Sequence, residues 1–265
     1  MKKILSGIIF VFSAFLWGLG EGKAEEMRKP VVFAYAWEMP DGFSMWLIGG
    51  FQDGRWYGHT SLPITVEGRP ITAEEGMKLT EPVACSTALI EKGDKLTFYS
   101  SQNGQKSGTV AVKGLKYSCS AASTETFIDV ETDRMEIPEH VMHIGVGSGW
   151  NAVPVSTKRE AVGEGVVFVP EGADRNTGPS VAFVVGIDEY GDKVFKGTAR
   201  MDGKKFPLTD AYAETEEQLE GFFIDLNGDG NLEFVFHSQG VGGFVAAFEL
   251  KNEGIVEILA LDLGD

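Results

Sequence analysis

Hydrophobic and polar residues alternate along the first well-patterned stretch of the chain. The odd-numbered residues from Val31 to Met39 are all apolar, and a period of two places them on one face of a β-strand. A Pro-Asp-Gly turn at 40–42 leads to a second apolar run over 43–51, and a Gln-Asp-Gly turn at 52–54 leads to a third. The pattern predicts an antiparallel β-meander.

Short apolar runs separated by turn residues continue to the end of the chain. Asn103-Gly104 between two such runs is a strong hairpin signal, and Thr215 with Gln218 has the spacing of a capped helical turn. Helices long enough to connect parallel strands are not expected, so the sheets should be antiparallel. Further strands are predicted at 85–90, 95–100, 109–113, 116–120, 140–146, 165–169, 181–188, 193–199, 244–250 and 255–261.

These elements predict an all-β protein of antiparallel sheets, sandwich- or barrel-like, with two β subdomains and a few short helical turns. A run rich in Ser, Thr, Asp and Glu near the middle of the chain is typical of a linker. We therefore expect an N-terminal β-meander domain over 25–125, a linker over 126–138 and a C-terminal β domain over 139–265.

Residues 1–24 have the pattern of a secretory signal peptide. Two lysines precede an apolar run from Ile4 to Leu19, and the small residues Gly22 and Ala24 precede an expected cleavage site. The alternative is a membrane anchor, but the apolar run is short for a span and is interrupted by Ser and Gly. We expect cleavage after Ala24 and a periplasmic or secreted protein.

The expected mature chain is strongly acidic. Cleavage removes three lysines and one glutamate from 23 basic and 39 acidic side chains, which changes the net charge from −16 to −18. Such a charge argues against nucleic acid and anionic membranes as partners and favours attraction of cations.

The sequence contains two cysteines, Cys85 and Cys119. In an exported protein such a pair is typical of a disulfide. By the chain-entropy estimate, closing this loop would contribute about 3–4 kcal/mol to stability. The alternative is a pair of buried thiols.

The strongest chemical signal lies at 222–236, where oxygen-bearing side chains recur at every second position and two glycines lie between them. Ca²⁺ takes about six to eight oxygen ligands, and glycine permits the positive φ angles that a tightly curled loop needs. The pattern predicts a calcium loop with four side-chain ligands and one backbone carbonyl. The ligands would be Asp225, Asn227, Asp229, Glu233 and the carbonyl of Asn231.

This spacing, Asp-x-Asn-x-Asp-Gly-x-x-Glu, resembles the calcium loop of FG-GAP and integrin-α-like repeats over residues 222–236. An EF-hand would need a glutamate at the twelfth position, which is Phe236 here, and flanking helices. The resemblance implies Ca²⁺ as the cofactor and carries no catalytic chemistry. The alternative is a solvated turn without an ion, although three carboxylates so close together would repel one another.

Aromatic residues of the meander suggest a second function. Trp37, Trp46, Trp56 and Tyr57 are expected on neighbouring strands. Exposed aromatic rings on a sheet can stack against sugars or contact a partner protein, whereas buried rings fill the core, which is the commoner case.

Catalytic signatures give no specific assignment. The sequence contains neither Gly-x-Ser-x-Gly nor His-Glu-x-x-His, so we nominate no catalytic residue. The preferred hypothesis is an exported calcium-binding β protein with a structural, adhesion or ligand-binding role, whose partner could be an extracellular protein or glycan. The alternatives are a carbohydrate- or protein-binding module that uses the N-terminal aromatics, and a secreted hydrolase with an unrecognised site.

Overall fold

The structure is a computed structural model that describes residues 31–39, 42–58, 61, 64–71, 83–87, 90–120, 123–131, 143–148, 152–239, 243–251 and 253–264. Within these residues, eleven strands form the first of three sheets. They are β1 (Val31–Met39), β2 (Gly42–Gln52), β3 (Arg55–Gly58), β4 (Ile64–Val66), β5 (Arg69–Ile71), β6 (Val83–Thr87), β7 (Lys95–Ser100), β8 (Lys106–Ala111), β9 (Gly114–Ser120), β10 (Ser123–Glu131) and β11 (His143–Ser148).

The order of strands in this first sheet is β5-β4-β6-β9-β10-β2-β1-β11-β7-β8, and β3 also pairs with β2. The length of β2 explains that branch. Its first half, from Gly42 to Trp46, pairs with β10, and its second half, from Gly49 to Gln52, pairs with β3. The predicted meander of β1, β2 and β3 is therefore confirmed, but β2 also carries a strand from much later in the chain.

Two five-stranded sheets contain the remaining described strands, and every strand pair in the three sheets is antiparallel. The central sheet has the order β12-β18-β19-β20-β21, and the third sheet has the order β13-β14-β15-β16-β17. Their bounds are β12 (Val153–Val155), β13 (Thr157–Ala161), β14 (Gly165–Pro170), β15 (Ser180–Ile187), β16 (Lys193–Met201), β17 (Lys204–Pro207), β18 (Leu219–Asp225), β19 (Glu233–Ser238), β20 (Gly243–Lys251) and β21 (Gly254–Gly264).

The central sheet packs against both of the others, because alternate residues of its strands point to opposite faces. On one face, Phe222 contacts Tyr99 of the first sheet, with ring centroids 6.4 Å apart. On the other face, Phe234 contacts Phe168 of the third sheet, with centroids 5.4 Å apart. Packing on both faces explains why β18 and β19 are buried at nearly every position rather than at alternate positions.

The all-β, antiparallel fold class predicted from the sequence is confirmed. The hairpin predicted at Asn103-Gly104 joins β7 to β8. The capped turn is present as a single 3₁₀ turn at Glu216–Gln218, where Oε1 of Gln218 accepts the backbone N–H of Glu214 at 2.7 Å. In the described part of the chain, no helix is long and apolar enough to cross a membrane.

The boundary between sheets differs from the predicted linker. Residues 123–131 form β10, although a linker was expected from 126, and β11 belongs to the first sheet rather than to a C-terminal one. Thr, Phe, Ile and Val within β10 favour a strand despite the acidic residues between them. Residues 132–138 and the predicted signal peptide over 1–24 lie outside the described residues, and the division into two subdomains stays a prediction.

The cysteines lie on two paired strands, β6 and β9. Val83 is opposite Cys119 and Cys85 is opposite Tyr117. Cys85 is disulfide-bonded, and no described cysteine is free. Because the side chain of Cys119 is outside the described part of the structure, the Cys85–Cys119 pairing stays a prediction.

Candidate functional site

The predicted calcium loop connects β18 to β19 in the central sheet. The strands pair until Ile224 lies opposite Glu233, so the two ends of the loop are held side by side. Gly228 and Gly230 have φ angles of 73° and 85°. These left-handed conformations favour glycine and curl the backbone back on itself, as the sequence predicts.

Side-chain oxygens inside the curl accept hydrogen bonds from backbone N–H groups further along the loop. Asp225 accepts the N–H of Gly228 at 2.7 Å and that of Gly230 at 2.9 Å. Asn227 accepts the N–H of Asp229 at 3.0 Å. Each carboxylate or amide oxygen retains a second lone pair, so these bonds shape the loop and leave acceptor capacity for a ligand.

Glu233 ends the loop and is fully buried, with 0% of its surface exposed. Its Oε2 accepts the backbone N–H of Leu226 at 2.6 Å. Its Oε1 is buried without a hydrogen-bond partner. A buried charged oxygen without a partner is costly, and among the described residues nothing compensates this atom.

Burial and neighbouring charges both disfavour the ionised form of Glu233. Burial raises its pKa to about 8, and the charges of Asp225, Asp229 and Glu249 act in the same direction. Repulsion among carboxylates of this kind is relieved by a proton or by a bound cation. The loop therefore concentrates negative charge around an oxygen that has no partner.

The predicted ligands are only partly brought together. Nδ2 of Asn227 donates to Oδ2 of Asp229 at 3.1 Å, whereas Asp229 and Asn231 are exposed. Among the described residues, no group of three or more His, Cys, Asp or Glu side chains is arranged to hold a metal ion. The predicted set also includes an asparagine amide and a backbone carbonyl, which are not among these four side-chain types. The five-ligand set therefore stays a prediction.

Two residues on β20 border the loop and were not predicted from the sequence. Glu249 lies directly opposite Glu233 in the strand register and is 7% exposed. Nζ of Lys251 lies 2.7 Å from Oε2 of Glu249. In the sequence, these two residues appear only as a glutamate and a lysine at the end of an otherwise apolar strand. That pattern does not indicate which strand will pair with β20.

A second buried carboxylate, Glu220, lies on the same face of the central sheet at the other end of β18. Its Oε2 accepts a short hydrogen bond from the Ser101 hydroxyl and lies 3.4 Å from Nδ1 of His237. Burial alone would raise the pKa of Glu220, but the hydrogen bonds from His237 and Ser101 outweigh it and lower the pKa.

This cluster contains the residue types of a hydrolase but not their arrangement. A nucleophilic serine needs its hydroxyl against the base, whereas Ser101 donates to Glu220, which lies between Ser101 and His237. All three side chains are buried. The cluster therefore joins the β7–β8 hairpin to the central sheet, and its residues lie too far apart in sequence to have been predicted.

Among the predicted aromatic residues, Trp56 packs against the core between the first and central sheets. Its ring lies 5.1 Å from that of Phe51, edge to face. Tyr57 is half-buried beneath the guanidinium of Arg55, at 4.5 Å. Trp56 thus contributes to the core. The side chains of Trp37 and Trp46 are outside the described part of the structure.

Comparisons of the chain with models of protein families, with curated proteins and with solved structures found no match.

Proposed function

We propose that this chain is an exported, periplasmic or secreted Ca²⁺-binding β protein in which the ion fixes the β18–β19 loop. The observation that supports it most is the buried Oε1 of Glu233, which has no hydrogen-bond partner and belongs to a carboxyl group whose pKa is raised by burial and by the charges of Asp225, Asp229 and Glu249. A cation bound there would supply the missing partner and offset the repulsion from Asp225 and Asp229.

The donor set favours Ca²⁺ among the common metal ions. Carboxylate, amide and carbonyl oxygens are hard ligands that suit Ca²⁺ and Mg²⁺, and nitrogen or sulfur ligands typical of zinc are not part of the loop. Ca²⁺ tolerates irregular coordination, whereas Mg²⁺ demands near-octahedral geometry and keeps several waters. A loop built on successive turns suits the more tolerant ion.

The ion would tune the stability of the fold rather than create it. Extracellular modules bind Ca²⁺ with dissociation constants of about 10⁻⁴–10⁻³ M. At millimolar Ca²⁺ this affinity contributes roughly 0.4–1.4 kcal/mol by mass action. Such a role fits a structural, adhesion or ligand-binding protein, with an extracellular protein or glycan as the partner.

The test is a calorimetric titration of the mature protein with Ca²⁺ at pH 7.5, repeated with Mg²⁺. We expect saturable binding of one Ca²⁺ and at least tenfold weaker binding of Mg²⁺. Glu233→Gln should abolish the heat of Ca²⁺ binding, because the amide supplies no negative charge at the buried position. Glu171→Gln, a change at an exposed glutamate after β14, is the matched control and should bind as the wild type does. Equal binding by Glu233→Gln and the wild type would contradict the proposal.

A further inference from the structure

A lysine lies beside the carboxylates of the loop. Nζ of Lys251 is 2.7 Å from Oε2 of Glu249, and Glu249 is directly opposite Glu233. The N–H of Leu250 donates to the carbonyl of Leu232 at 3.1 Å, which ties β20 to the end of the loop. Lys251 is thus positioned next to the acidic groups by the backbone as well as by its ion pair.

The charge of Lys251 acts beyond its ion-pair partner. The hydrogen bond to Glu249 raises the pKa of Lys251, and the charges of Asp229 and Glu233 act in the same direction. By reciprocity, the ammonium group stabilises these carboxylates in their ionised form. No bond from Lys251 to Glu233 satisfies the buried Oε1, so the lysine offsets the charge of the site without filling it.

We propose that Lys251, held on Glu249 beside the loop, is the resident counter-charge of the metal-free site, and that it competes with Ca²⁺ and sets the affinity. This inference rests on the proposed calcium function. An arriving divalent cation meets the positive charge of Lys251 at short range, and the two repel each other. Since half of the Lys251 side chain is exposed (51%) and its four-carbon stem is flexible, the ammonium can move towards water as the cation enters.

Three variants test this role in the full mature chain. Lys251→Met removes the charge and keeps an apolar stem, Lys251→Arg keeps the charge, and Lys204→Met removes an exposed lysine on β17 of the third sheet. Each is titrated with Ca²⁺ by calorimetry and melted in chelator and in millimolar Ca²⁺.

We expect Lys251→Met to bind Ca²⁺ about three- to tenfold more tightly than the wild type and to melt at a lower temperature in chelator. Lys251→Arg and Lys204→Met should bind within about twofold of the wild type, because one keeps the local charge and the other changes only the distant net charge.

The outcomes separate this inference from the proposed function. If the wild type binds Ca²⁺ and Lys251→Met binds equally or more weakly, the counter-charge role is overturned and the calcium site stands. If neither binds, both are overturned. If only Lys251→Met binds, the lysine is a counter-charge that excludes Ca²⁺, and the calcium function of the natural chain is the part that fails.

Discussion

Two glutamates on one face of the central sheet, Glu220 and Glu233, are both buried but differ in their partners. Glu220, near the start of β18, is bonded by Ser101 and lies beside His237. Glu233, at the start of β19, has one backbone N–H on Oε2 and no hydrogen-bond partner on Oε1. The pKa of the first is lowered, and that of the second is raised to about 8.

The difference separates a carboxylate whose charge the fold compensates from one whose charge it does not. The fold supplies Glu220 with a hydroxyl group from the β7–β8 hairpin and an imidazole group from β19, so its negative charge is stabilised within the protein. The pKa of Glu233 is instead raised by burial and by the charges of Asp225, Asp229 and Glu249, and a proton or a cation would relieve the repulsion. Burial alone therefore does not distinguish the two glutamates; the unpartnered oxygen of Glu233 does.

The largest expected effect comes from removing the satisfied carboxylate. Glu220→Leu leaves the His237 imidazole and the Ser101 hydroxyl without their buried acceptor, and should lower the free energy of unfolding by about 3–5 kcal/mol. Urea unfolding in chelator and in millimolar Ca²⁺ should show the same loss, while Glu220→Gln should cost less because the amide oxygen still accepts a bond. A loss that appears only with Ca²⁺ would mean that Glu220 belongs to the metal site.

The pH dependence of stability should reveal the unsatisfied carboxylate. The pKa of Glu233 is about 8 when folded and about 4.3 for an ordinary glutamate. Between these values the folded state holds a proton that the unfolded state has lost, so the free energy of unfolding should fall as pH rises from about 4.5 to 8 and level off above.

This pH-dependent loss should be at most about 5 kcal/mol in chelator, since each pKa unit between the folded and unfolded values corresponds to about 1.4 kcal/mol. The groups that face Glu233 are Asp225, Asp229 and Glu249, with Lys251 opposing their effect. Glu233→Gln should remove most of the slope, and saturating Ca²⁺ should flatten it because the ion binds the ionised carboxylate. A wild-type slope that the substitution leaves unchanged would assign the titration to another group.

The smallest effect concerns the exposed end of the loop. Asp229→Ala should abolish the rise in melting temperature caused by millimolar Ca²⁺, a rise that corresponds to roughly 0.4–1.4 kcal/mol. Asp174→Ala is a matched control. Asp229 accepts the backbone N–H of Asn231 at 2.8 Å, and Asp174 likewise accepts that of Asn176 at 2.8 Å but lies in the β14–β15 connection of the third sheet. An undiminished rise in Asp229→Ala, as large as in Asp174→Ala, would remove Asp229 from the ligand set.

Local patterns in the sequence predicted the elements that local physics controls. Alternation predicted β1, which has the expected bounds, and Asn103-Gly104 predicted the hairpin between β7 and β8. Gly228 and Gly230 predicted the left-handed turns of the loop. Each of these depends on residues within a few positions of one another.

Long-range pairing could not be predicted in the same way. The placement of β10 next to β2, and of β11 in the first sheet, depends on partners far away in the chain. The same holds for Ser101 against Glu220, which are 119 positions apart, and for Glu249 opposite Glu233. The curl of the loop could thus be predicted from its glycines, whereas the groups that distinguish Glu233 from Glu220 depend on the register of the sheet.

A crystal structure of the mature protein grown with millimolar CaCl₂ at pH 7.5 tests the central claim most directly. The account predicts one density peak about 2.3–2.6 Å from Oε1 of Glu233, with an anomalous signal that disappears when the crystal is transferred to chelator. A map with no such peak, in which Oε1 of Glu233 instead contacts an ordered water or a protein donor, would contradict it.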